Sequence, residues 1–433
     1  MKKNEEYIVE CLDVTNLGAG VTKVDGMTVF VNGLITNEKA RIRIVKVLKN
    51  YAYGIIRELI VESDDRIKPI CPISHQCGGC QFQHISYNKQ LDIKTDSVRQ
   101  LFERQVDSSI EVLDTLGMGD PYYYRNKAQF PVQVVDGVIK TGFYRIHSND
   151  IVPCKMCSIQ NKTINEVYEW ICDNLTVTEA RHLRHIFIRI STLGHIQVVW
   201  IARENLFERL TEKLVRKFPN VTGVIYNQNL RKDNVILGDT YQVLYGHDYL
   251  EEKCLSNYIQ LNFQSFYQVN PKQMEVLYQK AIEFADLKGN EKCIDLYSGV
   301  GTIAMSVSPY VQSITGVEIV EEAVMNAVNN AKRNHLDNCT FVCEDASKFV
   351  ENYKEHTDVV FVDPPRRGLT SMGIEHICGL EPTKIVYISC NPQTLARDSV
   401  LLKENGYHCQ KVQPVDMFPQ TTGLECVSLF IKI

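Results

Sequence analysis

The chain has 433 residues, 44% of them hydrophobic and 23% charged, a balance that supports roughly two or three globular domains and excludes wholesale disorder. Its 47 Lys and Arg against 52 Asp and Glu leave a net charge of −5, which excludes coating nucleic acid by bulk charge but not a local basic face. No apolar run approaches the ~20 residues that span a bilayer, MKKNEEYIVECLDV has no apolar signal core, and an odd 15 cysteines suit the reducing cytosol rather than a disulfide framework.

Residues 1–62 read as five short strands punctuated by Gly18, Gly20, Gly26 and Gly33, a small barrel of OB-like type. Lys39, Arg41, Arg43, Lys46 and Lys49 follow one another with no acid between, and Tyr51 and Tyr53 come next. Alternation puts Arg41 and Arg43 on one strand face and Ile42 and Ile44 on the other. Basic residues beside aromatics suit single-stranded RNA. Residues 63–262 are mixed, with a tight cysteine cluster and alternating strands at AQFPVQVV, VIKTGFYR, HIFIRIS and HIQVVWIA. From residue 263 to the end, apolar runs at 293–297, 313–320, 340–345, 359–364, 384–390 and 426–433 alternate with helical segments such as VEEAVMNAVNNAKRNHL. That alternation predicts a doubly wound, mostly parallel sheet whose ligands bind at the carboxyl ends of the strands.

The turn Ser298-Gly299-Val300-Gly301-Thr302 lies between a strand and a helix start, and Glu318 ends the next strand, where a ribose diol is held in nucleotide-type folds. The third glycine of a dinucleotide fingerprint is missing, so S-adenosylmethionine (SAM), which has no pyrophosphate, fits better. Asp345 follows the third strand, a position suited to the adenine edge, and Asp363 ends the fourth in Asp-Pro-Pro-Arg-Arg-Gly. An aromatic residue after Asp-Pro-Pro would suit amine methylation; Arg366 stands there instead, which favours a carbon acceptor.

Cys390 ends the fifth strand in Ser-Cys-Asn-Pro, ahead of a helix start whose dipole would favour its thiolate. A thiolate that adds to C6 of uracil makes C5 nucleophilic towards a methyl sulfonium, and a base must then remove the C5 proton. Glu425, just before the last strand, is the candidate base. Cys71, Cys77 and Cys80 form C-x5-C-x2-C among glycines, and Cys154 or Cys157 can complete a four-thiolate set, a 3+1 spacing that points to [4Fe–4S] rather than paired zinc knuckles. This is not the C-x3-C-x2-C spacing of radical SAM enzymes. His75 and His84 read as surface or packing residues.

CGGCQFQH, SFYQVN, DLYSGVGT, DPPRRG, SCNPQTLARD and MFPQT…LE together resemble the RNA (uracil-5-)-methyltransferases of the RumA/TrmA type, across nearly the whole chain. The resemblance implies an N-terminal TRAM-like barrel (1–62), a central iron–sulfur RNA-recognition domain (63–262) and a Rossmann-like SAM methyltransferase domain (263–433). A helical excursion at about 90–122 would pack on the catalytic domain. The barrel and cysteine cluster resemble the 23S rRNA branch, with the tRNA branch as the alternative. A radical-SAM methylthiotransferase and a non-catalytic RNA-binding protein are more distant alternatives. Carried over by position, the resemblance makes Cys71, Cys77, Cys80 and Cys157 the cluster ligands, Cys390 the nucleophile and Glu425 the base. It adds Gln268 and Tyr297 to Glu318 and Asp363 as SAM contacts. Gln420 and Gly423 depart from the family's usual residues at their positions, which puts a His-assisted proton step in doubt. A flipped-out or single-stranded uridine is implied, with Phe263, Phe266 and Tyr267 as possible stacking partners and Arg125 and Lys127 as phosphate contacts. A cytoplasmic monomer acting on RNA, with no membrane or DNA partner, is expected.

Overall fold

The computed structural model describes residues 1–146 and 148–433. Its first unit is a six-stranded sheet of β1 (Glu6–Glu10), β2 (Asp13–Val14), β3 (Ala19–Val24), β4 (Met27–Asn32), β5 (Lys39–Val47) and β6 (Tyr51–Val61), ordered β1-β5-β6-β4-β3-β2. That is one strand more than the sequence suggests, because β2 pairs with β3 through only two residues, too few to show alternation. Ala40, Ile42 and Ile44 are buried on β5, while Arg41 and Arg43 lie on its other face, where Arg41 pairs with Glu58 at 3.2 Å. Phe30, Tyr51 and Tyr53 cluster with ring centroids 5.6–6.0 Å apart.

Helix α1 (Tyr87–Gln105) and the short β7 (Glu111–Val112) come next. They are followed by β8 (Lys127–Val135), β9 (Val138–Tyr144), β10 (Ile151–Pro153), α2 (Lys162–Asn174), α3 (Val177–His182), β11 (Leu183–Ile190), β12 (Ile196–Ala202), α4 (Glu208–Lys217), β13 (Val221–Gln228) and β14 (Thr240–Gly246). Seven of these strands form the sheet β10-β9-β8-β11-β12-β13-β14, antiparallel except where α4 carries the chain from β12 to a parallel β13. The helices cover one face over Phe130, Tyr168, Ile186, Ile188 and Trp200, with the rings of Phe130 and Tyr168 stacked at 3.6 Å. A hairpin, β15 (Tyr249–Cys254) and β16 (Asn257–Asn262), leads into the last unit.

There α5 (Pro271–Ala285), β17 (Lys292–Leu296), α6 (Thr302–Val307), β18 (Ser313–Glu318), α7 (Glu321–Arg333), β19 (Cys339–Cys343), α8 (Ala346–Asn352), β20 (Val359–Val362), α9 (Ser371–Gly379), β21 (Lys384–Ser389) and α10 (Pro392–Glu404) alternate before β22 (Tyr407–Val415) and β23 (Glu425–Lys432). The eight-stranded sheet runs β19-β18-β17-β20-β21-β23-β22-β7. Strands β17 to β21 are parallel, and their order reverses between β17 and β20, which opens the usual ligand crevice at the strands' carboxyl ends. β23 enters antiparallel to β21. Although α1 and β7 precede the central sheet in sequence, α1 packs on α10 and β22, and β7 extends this sheet beside β22. The buried face of α1 carries Ile93, Val98 and Phe102 but also the polar Gln90 and Lys94. Among the described residues, no helix is long and apolar enough to cross a membrane.

Candidate active site

The glycine turn after β17 is held by two carboxylates. Asp295, fully buried, accepts the N–H of Ala304 at 3.0 Å and so fixes the start of α6. Glu318, at the end of β18, accepts the N–H of Gly299 (3.1 Å) with one oxygen and those of Ile319 and Val320 (2.9 and 3.0 Å) with the other. Tyr297 takes a left-handed backbone, φ +67°. Gly301 is required twice over: its φ is +81°, and a Cβ there would stand 2.5 Å from the Phe341 ring. Asp345 caps α8, one oxygen accepting the N–H groups of Ser347 and Lys348 at 3.1 and 3.2 Å. Gln268 is buried, and its carbonyl accepts the Asn126 amide at 3.3 Å. Of the three aromatics beside it, Phe263 and Tyr267 are core residues, while Phe266 is 71% exposed.

Cys390 and Glu425 meet at the same edge. In the antiparallel pairing of β21 with β23, Ser389 faces Cys426, which sets Cys390, one residue on, next to Glu425, one residue back. Asp363 ends the neighbouring β20. The loop after it is tied to α10, the helix that follows Cys390. The Arg366 carbonyl accepts from the Asn391 amide (3.2 Å) and the Thr394 hydroxyl (3.3 Å). Arg397 donates to the carbonyls of Arg367 and Leu369, and the buried Asp398 accepts the N–H of Leu369 (2.8 Å) and the Tyr387 hydroxyl (2.7 Å). Gly368 has φ +74°, and a Cβ there would press on the Asp398 carboxylate at 2.5 Å. The Asn-Pro-Gln-Thr-Leu-Ala-Arg-Asp run therefore clamps the Asp-Pro-Pro-Arg-Arg-Gly loop against the strand that leads to Cys390.

The electrostatics differ from the sequence expectation. Burial, then the charges of Glu425 and Asp363, push the Cys390 thiol up to about 11, with Arg366 acting in the opposite direction. The helix expected to favour the thiolate does begin here, at Pro392, but burial and two acids act against the thiolate. Asp363 stands at the rim yet is densely surrounded by protein, which raises it to about 7. Burial and the neighbouring Asp363 hold Glu425 well above the carboxylate range, and Arg366 pulls it down. One oxygen of Glu425 is buried with no hydrogen-bond partner among the described residues.

The cysteine residues form a second centre. Cys71, Cys77, Cys80, Cys154 and Cys157 all line one cavity of about 250 Å³, together with Arg125 and Lys127. The Gly79 N–H points at the Cys77 sulfur, 3.3 Å away. Gln83 bridges the two halves, accepting the Cys71 N–H (3.2 Å) and donating to the Ser158 hydroxyl (3.1 Å). Asn165 holds both the N–H and the carbonyl of Cys157, at 2.9 and 3.0 Å. Among the described residues, no three His, Cys, Asp or Glu side chains converge to hold a single metal ion. Arg125 and Lys127, both partly exposed, line this cavity. His75 is exposed and His84 half-buried.

The family model for tRNA (uracil-5-)-methyltransferases matches residues 86–433. The chain belongs to this family. It is 40% identical, over all of its length and 98% of the other's, to a Bacillus cereus protein named an uncharacterized RNA methyltransferase. A Streptococcus mutans protein of the same description is 39% identical, with both chains covered completely. The crystal structure of a Pyrococcus abyssi tRNA (uracil-54, C5)-methyltransferase in complex with S-adenosyl-L-homocysteine has the same fold: TM-score 0.76 over 98% of this chain and 99% of that one, at 23% identity.

Within this uracil-5 methyltransferase fold, sequence reasoning missed the work of Asp295, Arg366 and Asp398. Asp295 had a visible signal, a lone acid inside an apolar strand run. Arg366 and Asp398 lie in motifs that were recognised, but their partners come from other segments.

Proposed function

We propose that the chain transfers the methyl group of SAM to C5 of a uridine in 23S rRNA. The observation that carries this reading is the β21–β23 register, which brings Cys390 and Glu425 together beside Asp363 and Arg366. Gly299, Tyr297, Glu318, Asp345, Asp363 and Gln268 form the SAM site: Glu318 for the ribose, the free oxygen of Asp345 for the adenine edge, and Asp363 for the cationic end. SAM supplies an electrophilic methyl group on a sulfonium.

The Cys390 thiolate adds to C6 and the C5=C6 electron pair moves to make a C4–O4 enolate. C5 then takes the methyl group as its bond to sulfur breaks, leaving S-adenosylhomocysteine. Glu425 removes the C5 proton, C5=C6 re-forms, and the C6–S bond breaks to return the thiolate. Raised acids fit this cycle: Glu425 needs to be basic enough to take a carbon-bound proton, and Arg366 offsets the negative charge that forms on the uracil. A cation bound nearby would offset the two acids that hold the Cys390 thiol up, so bound SAM favours its thiolate.

We further propose that Cys71, Cys77, Cys80 and Cys157 hold a [4Fe–4S] cluster. A cavity ringed by thiols, with a glycine N–H directed at sulfur and the cations Arg125 and Lys127 on its wall, fits an anionic thiolate-bound cluster. Such a cluster would take one thiolate from each of Cys71, Cys77, Cys80 and Cys157, so the four sulfurs would not need to meet at one point. Nothing in the chemistry above needs an electron, and its part is structural. The basic and aromatic face of the N-terminal sheet, residues 1–62, would hold flanking RNA, and Phe266 is the exposed ring beside the SAM site.

tRNA is the second reading. The Pyrococcus chain named for tRNA is covered almost completely, so the extra modules do not by themselves separate the two substrates. The test is covalent trapping on 5-fluorouridine transcripts of 23S rRNA and tRNA. Fluorine at C5 cannot leave as a proton, so a SAM-dependent adduct, lost in Cys390→Ala, is expected on rRNA. An adduct confined to tRNA would transfer the protein to that substrate. An adduct on neither RNA, with SAM still bound, would overturn the reaction.

A further inference from the structure

The general base stands at the end of a loop, 416–424, that is held from outside the catalytic unit. At its centre is Gln420, a buried residue with a left-handed backbone, φ +69°. Its main-chain N–H donates to the Gln90 side-chain oxygen at 3.1 Å, and its own side-chain oxygen accepts from the Gln90 amide at 3.1 Å. The Gln90 amide also reaches the carbonyls of Phe82 (3.1 Å) and Ile85 (2.9 Å). The circuit closes where the Phe82 N–H donates to the Gln420 carbonyl at 3.0 Å. Gln81 accepts from the Thr422 N–H at 3.4 Å, and the Tyr124 hydroxyl donates to the Pro419 carbonyl at 2.9 Å. Three stretches meet at this node: the residues directly after Cys80, helix α1 and the run into Glu425.

We infer that Gln90 is a positioning residue for proton removal: through Gln420 it sets the loop that places Glu425, and it ties that loop to the cysteine segment. This rests on the Cys390–Glu425 reading above. Two features make the assignment specific. Gln90 is fully buried on a helix face it shares with Ile93, Val98 and Phe102 and with the paired polar residues Lys94 and Thr95, a costly place for an amide unless its polar atoms are used. Gln420 has no titratable group, so it orients and does not relay protons; the step it serves belongs to Glu425 alone. The loop also begins at Asp416, pinned by Lys94 and Tyr87 from the same helix, so the node acts on a segment already fixed at its other end.

Loosening the node should impair the last step and spare the earlier ones. Cys390 lies between β21 and α10, and none of the node's hydrogen bonds reaches either element, so thiolate addition and methyl transfer should continue. The intermediate that waits for Glu425 should then accumulate. The experiment compares holoprotein with Gln90→Ala, Gln420→Ala and Glu425→Gln on unmodified transcripts of 23S rRNA and tRNA, using SAM labelled in the methyl group. It reads the share of label in a denaturation-stable protein–RNA adduct. Wild type should leave nearly all label in free RNA. Gln90→Ala and Gln420→Ala should raise the adduct share at least about tenfold, approaching Glu425→Gln, with kcat falling and KM for RNA unchanged.

The same proteins are tested with 5-fluorouridine RNA, where trapping does not need the base. Both variants should trap at the wild-type rate. Loss of trapping in both variants, with wild type still trapping, would make Gln90 a merely structural residue and overturn the inference. So would a wild-type adduct share on ordinary RNA. Failure of wild type itself to trap on either RNA would instead overturn the reaction, and the inference with it.

Discussion

Cys390 and Glu425 are neighbours because β23 runs against β21: the pairing of Ser389 with Cys426 leaves the thiol and the carboxylate side by side at the carboxyl edge of the parallel strands. In a parallel arrangement the start of the last strand would lie at the opposite edge. The reversed strand thus delivers the Glu425 carboxylate to the edge where Cys390 and the glycine turn already are, from a position 35 residues away in sequence.

Substituting the two residues should separate two halves of the reaction. Cys390→Ala should abolish both methylation and adduct, a loss of at least about a thousandfold, since the carbon is unactivated without the thiolate. Glu425→Gln should lose turnover to a similar degree yet retain the adduct, now on ordinary uridine. Gel analysis of denatured reactions checks both. An adduct persisting in Cys390→Ala would assign the nucleophile elsewhere.

Asp363, proposed above for the cationic end of SAM, should make SAM binding pH-dependent. Burial raises it to about 7, so below that pH it is protonated in the free protein. A cationic ligand favours the carboxylate. Binding at pH 6 should release a proton, and affinity should rise with pH through about 7 and then level off. The same shift has a stability sign. A carboxyl raised on folding contributes stability below its unfolded value of ~4, and this is lost as pH rises through 7. Asp363→Asn should therefore remove the proton release, weaken SAM binding, and flatten this part of the fall in Tm between pH 5 and 8. Calorimetry in two buffers of different ionisation enthalpy measures the proton; identical heats at pH 6 would refute the linkage.

The strands β17 to β21 and β23, the glycine turn and the positions of Cys390 and Glu425 at strand ends were legible because each is a local pattern. β22 was not, because YHCQKVQPV mixes polar and apolar residues without alternation, and its burial comes from neighbours on both sides. The helical period of α1 was readable, but not the meaning of Gln90 and Lys94 on its buried face, since their partners are Gln420 and Asp416 at the far end of the chain. Arg125 and Lys127 look like surface cations in sequence; only the fold turns them towards the cysteines. The state of the Cys390 thiol depends on two acids from two other strands, which spacing does not reveal.

The ion pair of Lys94 with Asp416, 2.5 Å long, is buried on both sides, and Asp416 also accepts the Tyr87 hydroxyl at 2.8 Å. Breaking such a pair from one side leaves an uncompensated charge. Lys94→Met alone should cost about 3–5 kcal/mol, whereas Lys94→Met with Asp416→Asn should cost clearly less. Chemical unfolding of the two variants measures the difference. A single variant no worse than the double would show that the pair carries no coupling.

The cysteine cavity offers five thiols for four ligand places, and the backbone around them distinguishes the last two. Cys157 is anchored at both its N–H and its carbonyl by Asn165, which fixes its thiol against the cavity. The Cys154 thiol donates to the Met156 carbonyl at 2.7 Å, a local bond that a ligand thiolate could not make. Single replacement of Cys71, Cys77, Cys80 or Cys157 by Ala should then remove most of the iron and acid-labile sulfide from anaerobically purified protein, together with its visible charge-transfer absorption. Cys154→Ser should keep all three. Equal loss of iron in the Cys154 and Cys157 variants would exclude this choice of fourth ligand. Stoichiometric zinc, with no sulfide in the unsubstituted protein, would exclude the cluster itself while leaving the thiol cavity a metal site.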